Sequence, residues 1–139
     1  MRAVESGRGS EINNKANKGL LVLVEPDSSV RDALVYLLEG RGWEVRAVED
    51  CPDLLTAIAN DQPLAVISES SLPDCSPGQI LERCRKRDLP VIFIGHDLEL
   101  QGAVDLIRDG ALDYLDKPFH QGRLVNLLEG LYLGNDAVD

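Results

Sequence analysis

The sequence predicts a doubly wound α/β domain, a parallel sheet of five strands with five helices on its two faces. Three observations carry this. Short continuous apolar runs recur along the chain: "LLVLV" (residues 20–24), "LAVIS" (64–68) and "VIFI" (91–94), as strands covered on both faces require. Between them lie longer segments whose apolar residues fall three and four apart, the spacing of a one-faced helix. Parallel neighbours need crossover connections, and the regular alternation of strand and helix supplies one each time.

In chain order, residues 20–24 form a central strand. Val30, Ala33, Leu34, Leu37 and Leu38 make the stripe of the first helix, with Asp27 placed to cap it. "WEVRAV" (43–48) alternates and carries charge, which suits a strand near an edge. Residues 53–60 fit a second helix and residues 64–68 a third, central strand. Residues 77–87 fit the third helix, which must stop before Pro90. "VIFI" is the fourth strand. Leu100, Ala103, Val104 and Ile107 mark the fourth helix, and "ALDYL" (111–115), mixed in charge, a fifth strand near the other edge. Leu124, Leu127, Leu128 and Leu131 make the stripe of the last helix. The expected division is a disordered polar tail (1–19), one domain (20–133), and a C-terminal tail or start of a linker (134–139).

At 139 residues, 44% hydrophobic and 27% charged, the chain can bury one core without covalent staples. Its 14 basic and 24 acidic residues give a net charge of −10. Such a surface repels phosphate backbones and anionic lipid, so direct nucleic-acid or membrane binding by this chain is not expected. No apolar run approaches the length of a membrane span, and residues 1–19 lack the apolar core of a signal peptide. Cys51, Cys75 and Cys84 are odd in number and lack C-x-x-C or Cys/His spacing. They read as reduced cytosolic thiols, with neither a disulfide nor a zinc site expected.

In a doubly wound sheet the binding crevice lies at the carboxyl ends of the strands. That rule selects Glu25 after the first strand, Ser68 and Glu69 at the end of the third, Gly95 after the fourth and Lys117 after the fifth. Two carboxylates and an ammonium should converge on one rim, as a structural ion pair or as a functional site.

With these residues placed, the chain resembles the receiver domain of bacterial two-component response regulators over roughly residues 20–133. The most specific stretch is "GALDYLDKPF" (110–119); "VRDAL" after the first strand, "LPD" after the third and "LPVIFI" at the fourth follow in order. The resemblance implies the flavodoxin-like strand order 2-1-3-4-5. It also implies an Asp ending the third strand that a histidine kinase phosphorylates, and an acidic pair that helps hold Mg²⁺. A Lys–Pro pair joined by a cis bond, a hydroxyl residue ending the fourth strand and an aromatic switch residue in the fifth complete the family's set.

Carried over residue by residue, Glu69 stands at the phosphoacceptor position. Pro26 replaces the second acid of the pair after Glu25, and Gly95 replaces the hydroxyl residue. Tyr114, Lys117 and Pro118 keep the family's residue types, and Asp27 remains beside the depleted acidic pocket. Glu reaches one methylene further than Asp, roughly 1.5 Å, which moves its carboxylate off the in-line position. Loss of the acid at Pro26 leaves Glu25 and Glu69 as the only metal donors, so Mg²⁺ binding should be weak or absent, and no other cofactor is expected. The expectation is a pseudo-receiver, not an enzyme, in which Glu69 forms a charge-assisted hydrogen bond with Lys117.

Such a chain is expected in the cytoplasm. It would act through protein partners: a fused or separate output domain, or a second copy docked through the fourth helix, fifth strand and fifth helix. That face would carry Leu98, Leu100, Gln101, Asp105, Tyr114, Asp116 and Arg123. Other readings stay open at this stage. One is a competent receiver phosphorylated at Asp27 or Asp74; another is a small flavodoxin-like ligand binder, although "VEPDSS" offers no glycine-rich cradle. The basic cluster "ERCRKRD" (82–88) reads as a solvated helix face, with anion binding as the sharper alternative, and His96 and His120 as loop residues.

Overall fold

The computed structural model describes residues 17–96 and 99–138. Five strands alternate with five helices: β1 (Leu20–Val24), α1 (Ser28–Glu39), β2 (Glu44–Val48), α2 (Cys51–Asp61), β3 (Ala65–Glu69), α3 (Pro77–Arg85), β4 (Val91–Gly95), α4 (Leu100–Arg108), β5 (Asp113–Asp116) and α5 (Gln121–Val138). The sheet is wholly parallel in the order β2-β1-β3-β4-β5, as expected. Every residue of β3 and β4 is buried, whereas most of β2 is exposed or half-buried. That is why the first two read as unbroken apolar runs and the last alternates.

The pleat divides the core. Val22, Val24, Val66, Val91 and Phe93 point to the face covered by α2, α3 and α4, together with Leu54, Ile58, Ile80 and Leu106. Leu21, Leu23, Ile67, Ile92 and Ile94 point to the other face, where Leu34, Leu38, Leu124 and Leu128 of α1 and α5 meet them with Trp43. Helix starts follow local chemistry. Asp27 accepts from the Ser29 and Val30 N–H groups, Asp50 caps α2 with Pro52 just inside it, and Ser76 and Gln79 form a reciprocal capping box with Pro77 at the first turn. Gly110, at φ +120°, turns the chain from α4 into β5 in a conformation that side chains disfavour.

Three expectations need correction. Cys51 and Cys75 form a disulfide, with Cα atoms 5.9 Å apart and a sequence separation of 24, leaving buried Cys84 as the free thiol. Spacing rules look for local pairs, but this pair is made by the fold, which brings the start of α2 against the loop after β3. The stripe of α4 is split: Leu100, Val104 and Ile107 are exposed, whereas Ala103 packs against the core and Leu106, outside the stripe, is the buried residue of that helix. Residues 17–19, assigned to the tail, are tied to the domain. The Lys18 N–H donates to the Gly42 carbonyl, and its ammonium pairs with Glu129 and lies 5.7 Å from the Tyr132 ring centroid. Residues 1–16 of the expected tail, and Leu98 of the expected docking face, lie outside the described residues. At the other end α5 runs on to Val138, past the boundary expected at 133.

Candidate functional site

The sheet delivers four backbone ends to one rim. Glu25 follows β1, Glu69 ends β3, Gly95 ends β4 and Lys117 follows β5. Both glutamates are buried, Glu25 at 2% and Glu69 at 7% exposure, so each carboxylate needs partners. Lys117 supplies them: its Nζ donates to Glu25 Oε1 at 2.8 Å and to Glu69 Oε1 at 2.6 Å. The other oxygens are engaged as well. Glu25 Oε2 accepts from the Asp27 N–H at 3.1 Å, and Glu69 Oε2 accepts from the Ser71 N–H at 3.0 Å and lies 3.5 Å from the Ser70 hydroxyl. Two carboxylates thus share one ammonium. Burial of that ammonium lowers its pKa, but hydrogen bonds and Coulombic attraction from Glu25 and Glu69 outweigh this and hold it above the ordinary 10.5.

Backbone contacts fix the lysine. The Lys117 N–H donates to the Gly95 carbonyl at 2.7 Å, and the Lys117–Pro118 bond is cis. Gly95 is where the crowding is greatest. A Cβ there would come within 3.2 Å of Glu69 Oε2 and of the Tyr114 hydroxyl, and would overlap the Ser70 hydroxyl. Tyr114 is buried beside it.

Asp27 does not join the cluster, because its carboxylate is turned to the α1 amides. Pro26 is exposed and brings no donor, and Asp74 lies in an exposed turn. His96 and His120 are exposed in loops. The basic cluster lies elsewhere: Arg85 lines a cavity of about 420 Å³ with Asp88, Pro90, Arg108 and Gly110, at the opposite end of the sheet. Arg85 and Arg108 are already paired with Glu82 and Asp105. Among the described residues no group of three or more His, Cys, Asp or Glu side chains is placed to hold a metal, and no helix is long and apolar enough to cross a membrane.

The family model of the response regulator receiver domain matches residues 21–129. The chain belongs to that family. Receiver domains are signalling domains, and the relatives of this one are regulators of transcription by name. It is 33% identical over 114 residues to the DNA-binding transcriptional regulator NtrC of Proteus hauseri, a match covering 81% of this chain and 24% of that protein. To the transcriptional regulatory protein FixJ of Bradyrhizobium diazoefficiens it is 31% identical over 116 residues, covering 81% of this chain and 56% of that one. This receiver therefore spans a quarter to about half the length of these curated relatives. Among solved structures, the signal receiver domain of a putative Luxo repressor protein from Vibrio parahaemolyticus superposes with a TM-score of 0.79 at 25% identity, covering 87% of this chain and 97% of that one.

Within this receiver, the rim rule brings together Glu25, Glu69, Gly95 and Lys117, and Tyr114, expected from the resemblance, is buried beside Gly95; Ser68, which the rule also selects, turns its hydroxyl to the Glu69 carbonyl and does not join the cluster. The rule misses three groups that complete the site. Ser70 and Ser71 contribute a hydroxyl and a backbone N–H, and Arg31 donates to the Glu25 carbonyl at 2.8 Å and the Pro26 carbonyl at 3.3 Å. The "ESS" triplet was a visible hint, since small polar residues after a strand-end acid offer it close donors. Arg31, one turn into α1, carried no such signal.

Proposed function

We propose that this receiver relays its signal without accepting a phosphoryl group, and acts through protein contacts as the signal-receiving part of a transcription regulator in the cytoplasm. The observation that carries the reading is the bridging of Glu25 and Glu69 by Lys117. On this reading Glu69, at the acceptor position, already gives Lys117 the negative partner that an aspartyl phosphate would supply, and the site is held in one state. An oxygen bound at 2.6 Å to an ammonium is also a poor nucleophile toward a phosphoryl donor.

The residues present do not fit Mg²⁺. A small hard cation needs several free carboxylate or carbonyl oxygens in octahedral array. Here Pro26 offers no carboxylate, and both oxygens of Glu25 and of Glu69 are already accepting hydrogen bonds. Gly95 likewise has no hydroxyl to follow a phosphate.

Output then falls to surfaces. The α4–β5–α5 face exposes Leu100, Val104 and Ile107 beside the charged Asp105, Asp116 and Arg123, and suits either a second copy or an attached output domain.

Intact-mass spectrometry after incubation with Mg²⁺ and acetyl phosphate tests the reading, on wild type and Glu69→Asp. No phosphoryl adduct is expected on the wild type, and little on Glu69→Asp, which still lacks the second acid and the hydroxyl residue. A stable adduct on the wild type, at Glu69, Asp27 or Asp74, overturns the reading, and strong phosphorylation of Glu69→Asp would show that one methylene alone had silenced the site.

A further inference from the structure

We propose that Cys51 and Cys75 are a reversible redox site, opened by thiols and closed by disulfides of low molecular weight, whose state sets how firmly the loop after Glu69 is held. The inference goes beyond the function proposed above and does not rest on it.

The pair joins two segments at the carboxyl rim of the sheet. Cys51 is the first residue of α2, immediately after its Asp50 cap, and Cys75 lies one residue before Ser76, the cap of α3. Between Ser71 and Ser76 only Leu72 and Cys75 are buried; Ser71, Pro73, Asp74 and Ser76 are exposed. The loop's own tie is the bridge between Leu72 and Cys75. Its root is anchored by the Ser70 N–H on the Ile94 carbonyl at 2.8 Å and the Ser71 N–H on Glu69 at 3.0 Å. One of the loop's two buried anchors is therefore the disulfide, and opening it leaves Leu72 as the other.

Access is built in. The pair itself is buried, but a cavity of about 420 Å³ borders it, walled by Cys51, Leu55, Asp74, Cys75, Gln79 and Arg83, and is the route by which a small thiol would reach the S–S bond. The remaining thiol does not compete. Cys84 is fully buried, and desolvation pushes its pKa up to about 12, which keeps it protonated and unreactive. A closable pair of this kind, with one inert neighbour, is a defined two-state element whose signal is the poise of the surroundings.

The chemistry balances through a mixed disulfide. On closing, one cysteine thiolate attacks a small disulfide R–S–S–R, breaking its S–S bond and releasing one R–S⁻. The second cysteine thiolate then displaces the other R–S⁻ to form Cys51–Cys75. The two cysteines lose two electrons and two protons, which leave with two R–SH. Opening is the reverse, with two R–SH oxidised to R–S–S–R.

The test treats the full chain with oxidised or reduced glutathione under native conditions, then alkylates it in denaturant and counts modified thiols by intact mass. Of the 3 cysteines, one should alkylate after oxidation and three after reduction. Reduction should raise hydrogen–deuterium exchange of the amides at 70–76 while leaving β3 and β4 protected, and lower Tm by roughly 10 °C. Cys51→Ser and Cys75→Ser should each show the exchange at 70–76 and the Tm of the reduced wild type in reduced glutathione and should form no internal disulfide in oxidised glutathione, whereas Cys84→Ala should respond like wild type. Three alkylated thiols after oxidation would show that no bond forms. A bond that native-state reduced glutathione cannot open would make it a fixed staple. Opening without a change in exchange at 70–76 would show that the loop is held by other means. Each of these results overturns the proposal.

Discussion

At the scale of single residues, Glu69 and Gly95 behave as a matched pair. The longer acid fills space that a side chain on residue 95 would need, since a Cβ there would stand 3.2 Å from Glu69 Oε2. Ser70 can rotate its hydroxyl away, but Glu69 is held at both oxygens. Gly95→Thr should therefore cost about 1–3 kcal/mol by overpacking. In a Glu69→Asp background the same change should cost less, a non-additivity of about 1 kcal/mol that a double-mutant cycle by urea denaturation would read directly. Lys117 is the other decisive residue. Replacing it with Met strands two buried carboxylates and should cost about 2–4 kcal/mol. The sign of the pH effect follows from the raised lysine value. Pairing favours the protonated ammonium in the folded state, so its stabilisation is complete below the ordinary 10.5 and fades as pH rises through the higher folded value. The stability gap between wild type and Lys117→Met should be constant from neutral pH toward 10 and shrink above it; a gap that widened in alkali would contradict the pairing.

Elements differ in how far they can be read from the chain. Apolar runs placed β1, β3 and β4 because strands covered on both faces leave no polar position to break the run. The cap of α1 was legible because Asp27 acts on an amide two residues away. What failed is tertiary. Periodicity says that α4 has an apolar stripe, not which side is covered, and here Val104 and Ile107 of that stripe are exposed while Leu106, outside it, is buried; Leu100 lies outward, as expected of a docking-face residue. The Cys51–Cys75 bond, and the hold of Lys18 on Glu129 and Tyr132, join segments that no local spacing connects. Ser71 acts through its backbone N–H, a group that every residue but proline carries. The exposed residues of α4 yield their own prediction. Leu100→Asp with Ile107→Lys should change stability by no more than about 0.5 kcal/mol, because both residues lie on the surface. The same pair should weaken self-association seen by sedimentation velocity if α4 is the docking face, and an unchanged association constant would move the docking surface elsewhere.

Across the whole molecule, charge and fold set separate limits. The parallel sheet gathers a carboxylate-rich rim that one ammonium only partly neutralises, and the chain as a whole carries a net charge of −10. Its densest basic segment, residues 82–88, is bounded by Glu82 and Asp88, with Arg85 already paired with Glu82. Binding to duplex DNA depends on many cations releasing counterions together, and its salt slope scales with their number. Among the described residues the surface has no such array, and the chain is acidic as a whole, so fluorescence anisotropy with a labelled duplex should show no saturable binding by this chain even at ~50 mM salt, where non-specific contacts are strongest. Relatives of this receiver carry DNA binding in their names, and the match covers only 24% of such a protein. An experiment that found tight, salt-sensitive binding by the chain itself would mean that residues 82–88 act together despite their acidic neighbours. The substitutions Arg83→Glu and Arg87→Glu would then have to abolish it.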